Sequence, residues 1–354
     1  MLNEVTQERA MNEHQYTFFG DHHALEALSQ SGDRLEQLDK ILDLAPLVAL
    51  ADKIWNDARP LKASCGRNRQ SSEVMLRALL LKRFYNLSNE QTEYQLRDRL
   101  SFMRFARLGL GDKVPDSRTI WLYADTLAKN DGALRLFELL NEQLEQRGLM
   151  VKEGMMVDAT IVEVPRQRNS REENKTIKEG KTPEAWKSQP RKLAQKDLDA
   201  RWVKKNGQSH YGYKNHVKTG ARTKLIKKFT VSEASLHDSQ ELPRLVDETD
   251  GSLHADSAYG GEPCARHLEK CGVANQVHEK GTRARALSEE QKRSNTEKSR
   301  IRARVEHPFA FMEKSLGGIY NRCIGMVRNA HEIGMMNLSY NLWRSVFLLR
   351  QTAK

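Results

Sequence analysis

The chain has 354 residues, 38% hydrophobic and 30% charged, with a formal net charge of +11 at pH 7 and a pI near 9.4. That describes a globular protein with a large charged surface, long enough for two domains. The positive excess points to a polyanion partner, most often nucleic acid, the alternative being a basic but inert surface.

In chain order, residues 1 to about 150 read as helical. LEQLDKILDLAPLVALADKIW places apolar residues at helical spacing, and SSEVMLRALLLKRFYNL does the same with Ser72 as its cap. SNEQTEYQLRDRLSFMRFARL opens with a Ser88/Gln91 capping box. Pro115, Asp116 and Ser117 start a helix over PDSRTIWLYADTLAKN, and GALRLFELLNEQLEQRG ends at a Gly148 cap. About five or six helices and no strand are expected, with no pattern that by itself establishes a helix-turn-helix.

After Met150 the texture changes. GMMVDATIVEVP reads as a buried strand, SHYGYKNHVKTG and TKLIKKFTVSEA as two more in an antiparallel meander. Between them, residues 166–206 form a basic, polar insertion that reads as flexible, either a solvated loop or a DNA-contacting arm. HDSQELPRLVDE suggests a helix, GSLHADSAYGG a short strand ending at Asp256, EPCARHLEKCG a helix and VANQVH a strand. A basic stretch follows from Lys280 to Arg304, then helical RARVEHPFAFMEKSL and NAHEIGMMNLSYNLWRSVFLLR. The sum is a mixed α/β sheet flanked by helices, behind a helical N-terminal domain.

No apolar run approaches the roughly 20 residues of a membrane span. Cys65, Cys264, Cys271 and Cys323 form no C-x-x-C pair, which argues against structural zinc; Cys264, His267 and Cys271 read as residues of one helix. Free thiols and the lack of a signal peptide point to a reducing cytoplasm.

Three acids stand in unusual contexts. Asp158 lies inside an apolar strand, where an ionised carboxylate needs a partner or a metal. Asp256 ends another strand, and Glu306 lies between Val305 and Phe309. Two or three carboxylates on neighbouring elements suffice for two-metal phosphoryl chemistry; the rival for Asp158 is a buried ion pair. Strand parity puts Asp158, Thr160 and Val162 on one face and Glu163 on the other. Pro308 fits a first helical turn, so Glu306 either starts a helix or marks a kink. His210, Gly212, Lys214 and His216 share a strand face, with Lys214 read either as an exposed phosphate contact or as plain surface.

VDATIVEVP, HYGYKNH, HADSAYGG and IRARVEHPF, in this order, resemble the insertion-sequence transposases with a DDE triad, most closely the IS-five branch. The resemblance covers most of the chain, and RARVEHPF is its most specific motif. It implies a ribonuclease-H-like catalytic domain over 151–354 after an N-terminal helical domain over 1–150. It implies Asp158, Asp256 and Glu306 as the catalytic, metal-holding triad, with Mg²⁺ as cofactor and Mn²⁺ able to substitute. In the Tyr, Arg, Glu, Lys signature of related enzymes, Arg302 matches the Arg, Ser299 replaces the Tyr, and Glu313 takes the Lys position with Lys314 next to it. Arg302, Arg304, Lys314 and Lys214 are therefore the candidate DNA contacts. The implied partners are double-stranded DNA, as terminal inverted repeats and as target, and a second copy of the chain on that DNA in a prokaryotic cytoplasm. The alternatives are a catalytically inactive DNA-binding repressor and a two-metal nuclease without strand transfer.

Overall fold

The computed structural model describes residues 20–60, 69–151, 154–281 and 286–352; Cys65 and positions 282–285 of the basic stretch lie outside them. Eight helices come first among the described residues: α1 Gly20–Gln30, α2 Arg34–Ile41, α3 Ala45–Ala58, α4 Ser72–Phe84, α5 Asn89–Asp98, α6 Leu100–Phe105, α7 Ser117–Ala128 and α8 Gly132–Gln146. There are more of them than the apolar periodicity suggests. The stretch read as one helix breaks before Pro46, which sits in the first turn of α3, and another breaks at Arg99. The expected Ser88/Gln91 capping box is present, and Asp116 caps α7. Ser71 rather than Ser72 caps α4; Ser72 instead donates to Asp52 at 2.7 Å.

The remainder runs β1 Met155–Glu163, α9 Arg171–Lys178, α10 Glu184–Lys187, α11 Pro190–Leu193, β2 Arg201–Lys205, β3 Gln208–Gly220 and β4 Ile226–Glu233. Then come α12 Leu242–Leu245, β5 Ser252–His254, α13 Glu262–Lys270, β6 Ala274–Asn275, α14 Glu289–Arg302, α15 Glu306–Ser315 and α16 Met326–Thr352. The sheet order is β2-β3-β1-β5-β6, with β4 also paired to β3. The meander β1, β3, β4 is antiparallel, whereas β5 and β6 join parallel. This is the mixed, helix-flanked sheet of a ribonuclease-H-like fold. HDSQELPRLVDE forms a 3₁₀ turn and the single turn α12 rather than a longer helix, because Pro243 permits only a fresh first turn.

Both faces of β1 are covered, so its sequence is nearly continuously apolar. The register sets Met156, Asp158, Thr160 and Val162 opposite Thr219, Val217, Asn215 and Tyr213 on one face. That face shares one hydrophobic cluster with the N-terminal helices and α16, including Met156, Val162, Tyr213, Leu338 and Leu140. The other face packs Met155 and Val157 on Leu242, Leu245, Leu253 and Leu268. Helix α16 is pinned to the sheet by buried amides. Asn337 and Asn215 exchange hydrogen bonds of 3.1 and 2.8 Å, and Asn341 closes on both backbone groups of Ile226. Gly212 marks where three strands meet: a Cβ there would stand 2.1 Å from the Val162 carbonyl oxygen, while its own carbonyl accepts from Ala234.

The insertion expected to be flexible is folded. Trp186 is fully buried, donates to Glu173 at 2.6 Å and carries the Lys192 and Lys196 ammoniums over its ring. Tyr213 donates to buried Asp197, and Asp197 and Asp199 accept the Gly325 and Met326 N–H groups at the start of α16. One aromatic thus organises a segment whose composition is otherwise that of a loop. Trp186→Ala should remove about 3–5 kcal/mol of packing. Hydrogen exchange and proteolysis over 171–197 should then accelerate while β1 and β3 stay protected. Unchanged protection of that segment would contradict this role of Trp186.

Candidate active site

Two short parallel pairings position the site. Met155 and Met156 of β1 pair with Leu253 and His254 of β5. Continued for two residues, this register brings Asp158 beside Asp256, where β5 ends and parts from the middle of β1, strand spacing being about 4.8 Å. β5 pairs in turn with β6 through Ser252–Ala274 and Leu253–Asn275, and the His278 N–H still donates to the Ala255 carbonyl. The same extension sets His278 beside Asp256. Asp158, in the middle of β1, therefore lines up with Asp256 and His278, which lie just beyond the carboxyl ends of β5 and β6, the edge where parallel sheets usually bind ligands.

Each aspartate anchors one oxygen on backbone. Asp158 Oδ1 accepts from Ala159 N at 2.8 Å, and Asp256 Oδ1 accepts from Ala258 N at 2.9 Å, capping the 3₁₀ turn Ser257–Tyr259. Burial pushes the Asp158 carboxyl up from 3.8 to about 6, and the nearby Asp256 charge pushes the same way; the Ala159 N–H, Arg302 and Lys205 oppose them. Ionising Asp158 thus costs the folded state. Its contribution to stability is fully present below about pH 3.8 and is lost as pH rises through about 6.

Glu306 is the first residue of α15, separated from α14 by the 3₁₀ turn Ala303–Val305, with Pro308 in the first helical turn. Both sequence alternatives are realised, a helix start at a bend, and the helix N-terminus favours the carboxylate. Its side chain is 66% exposed. Arg302 lies between the acids, with Nη1 3.6 Å from Asp158 Oδ2 and Nη2 4.0 Å from Glu306 Oε1. Both distances exceed hydrogen-bond range, so the guanidinium is held by charge rather than fixed by donation. Its buried Nε finds no partner among the described residues, nor does the Tyr259 hydroxyl, whose ionisation burial disfavours first and the Asp238, Asp158 and Asp256 charges disfavour further.

Among the described residues no three His, Cys, Asp or Glu side chains converge on one point as they stand. The donor chemistry nevertheless fits a divalent cation. Asp158 and Asp256 supply paired hard oxygens whose mutual repulsion such an ion relieves. Glu306 stands on the exposed side, with only a loosely held arginine between it and Asp158.

The candidate cations divide. Arg304 and Lys314 are exposed on the same α14–α15 unit as Glu306. Glu313 accepts the Ile319 N–H at 3.1 Å, which ties that position to the end of α15 and leaves Lys314 as the outward base. Lys214 is not the exposed lysine expected. It lies opposite Ile161, on the face away from Asp158, and donates to the Leu236 carbonyl at 2.7 Å and Asp238 at 2.8 Å. Two participants escaped sequence reading. Lys205, at the tip of the β2–β3 hairpin, acts on Asp158. His278 lies within the field of Asp256, and burial together with Arg302 and Lys298 pushes its imidazole down. His278 could have been found as the last residue of VANQVH, by the rule that picks Asp256 at the end of its own strand.

No helix among the described residues is long and apolar enough to cross a membrane. The family described as Transposase DDE domain matches residues 150–342, more than half of the chain, and one described as Transposase domain matches residues 23–125. No solved structure matches the chain. The sheet, the neighbouring aspartates on it and the glutamate opening α15 fall within the first match, and the chain belongs to the insertion-sequence transposases of the DDE type, enzymes of DNA transposition.

Proposed function

We propose that this transposase, of the IS-five branch, binds the terminal inverted repeats of its element, cleaves DNA at the ends and joins the freed 3′-hydroxyl to target DNA. The observation that carries the reading is the parallel register that sets Asp158 against Asp256, with Glu306 facing them across Arg302. Mg²⁺, or Mn²⁺ in its place, held by Asp158, Asp256 and Glu306, would supply Lewis-acid stabilisation of the attacking and leaving oxygens. In cleavage, water adds to phosphorus as the bond to the 3′-oxygen breaks, giving a 3′-hydroxyl and a 5′-phosphate. In joining, that hydroxyl forms a new bond to a target phosphorus while one target ester bond breaks. No covalent enzyme intermediate is needed.

The chain's own groups position the strands. Arg302 has donors to turn from the carboxylates to a phosphate, and Arg304 and Lys314 extend the basic track along α14 and α15. The basic stretch from Lys280 to Arg304 follows the backbone. The N-terminal helices recognise the repeats, and two chains assemble on DNA because two ends must be brought together.

The test is mobility in cells. A selectable marker is placed between the DNA flanks of this gene, with the protein supplied in trans. Movement should fall by more than about 10²-fold in Asp256→Asn. Equal movement with both proteins would remove Asp256 from the reaction. Cut ends without joined products would identify a nuclease, and repeat binding without either product would identify a repressor.

A second prediction concerns salt. Affinity for end DNA should fall steeply with salt concentration, and Arg304→Gln and Lys314→Gln should each flatten the log–log slope by about 1. Lys214→Gln should leave the slope unchanged, since its ammonium is committed inside the protein. Anisotropy titrations read this directly, and a slope lowered by Lys214→Gln alone would reverse the assignment.

A further inference from the structure

A cleft of about 350 Å³ lies where the N-terminal helices meet the loop between α15 and α16, away from the carboxylates. That size is within the range of small-ligand sites. Two large aromatics line it while remaining open to solvent: Trp121, 47% exposed, and Tyr320, 37% exposed. Each carries a guanidinium over its ring, Arg328 at 5.7 Å from the Trp121 centroid and Arg322 at 5.9 Å from that of Tyr320. Arg83 forms part of the wall. It is 4% exposed, and its buried Nε has no partner among the described residues, although its Nη2 donates to the Gly318 carbonyl. Of the cleft's acids, Glu332 is matched by Lys82 at 2.5 Å, and Arg328 is paired with Asp125 at 2.7 Å, which sets Arg83 and Arg322 against Glu90. Positive charge is therefore left over around the two rings.

Exposed aromatic faces beside arginines suit one chemistry: a planar base stacked on a ring, with its phosphate met by guanidinium. A base inside a duplex has both faces covered and offers only its edges, so it cannot use such a recess. The position suits DNA engaged at the carboxylates. Tyr320 bridges to Glu163 at the end of β1, five residues from Asp158 and so roughly 16 Å along the strand, the span of a few nucleotides.

We infer that this cleft takes an unpaired nucleotide of the DNA bound at the active site, stacked between Trp121 and Tyr320, its phosphate facing Arg83 and Arg322. The inference rests on the transposase reading and adds a second binding site to it. It places the site across both matched segments, Trp121 in one and Tyr320 in the other.

The experiment uses the full chain and two probes of equal length: a blunt duplex of the element end, and the same duplex with unpaired nucleotides carrying 2-aminopurine. The wild type should prefer the unpaired probe and quench its fluorescence. Trp121→Ala and Tyr320→Ala should each lose about 5- to 100-fold of that affinity. Blunt-duplex binding should persist, Tyr320→Phe should retain the preference, and circular dichroism should report an intact fold throughout. Equal binding of both probes by the wild type, or a preference that survives both alanine variants, overturns the cleft assignment and leaves the transposase reading standing. No binding of either probe overturns both.

Discussion

A carboxylate in the middle of an apolar strand is the constraint around which this molecule is arranged. Asp158 is only 22% exposed, because β3 covers one edge of β1 and helices pack on its face. It is also denied a close counter-ion: Arg302 stands 3.6 Å away, near enough to act by charge and too far to donate well. The parallel register then adds a second aspartate rather than a cation. An arrangement that left two acids in mutual repulsion for stability alone would be poor engineering. One that holds them for a divalent ion uses the repulsion.

The remaining architecture fixes those few atoms. Buried amides of α16 lock the meander from one side, so β1 and β3 cannot slip without breaking the Asn215–Asn337 pair. On the other side, Leu242, Leu245 and Leu268 hold the short strand β5, whose three residues would not keep a register alone. Glu306 is treated differently. It opens a helix at a bend, exposed, with its backbone set by Pro308 and its carboxylate near a loosely held arginine. The two aspartates are held by backbone N–H groups, while the glutamate side chain stands exposed.

The three candidate acids stand out in the sequence because each violates its local context: an ionisable group in a strand, one just past a strand end, one in an apolar helical stretch. The meander was legible from alternation and length, whereas β2, inside the expected insertion, and the order in which β5 and β6 join the sheet were not. What was hidden depends on contacts distant in sequence. Parity along β3 could not say which face Lys214 shares, and only the pairing with β1 turns it away from Asp158. Lys205 reaches the site through a hairpin that no local pattern encodes, whereas His278 ends a readable strand but is set beside Asp256 only by the parallel register. The insertion misled because charge dominates its composition, whereas one buried residue, Trp186, decides its structure. Helix number was underestimated because apolar spacing continues across the breaks before Pro46 and at Arg99.

The most direct test of the central claim is a pair of melting curves for the wild type and Asp158→Asn near pH 8, each with and without excess Mg²⁺. Without the ion, the variant should be at least as stable as the parent, since it removes a buried charge whose carboxyl is pushed up to about 6. With the ion, the wild type should gain stability by linkage and the variant should not. Equal stabilisation of both proteins, or a variant much less stable in the absence of the ion, would contradict the claim and make Asp158 an ordinary structural residue.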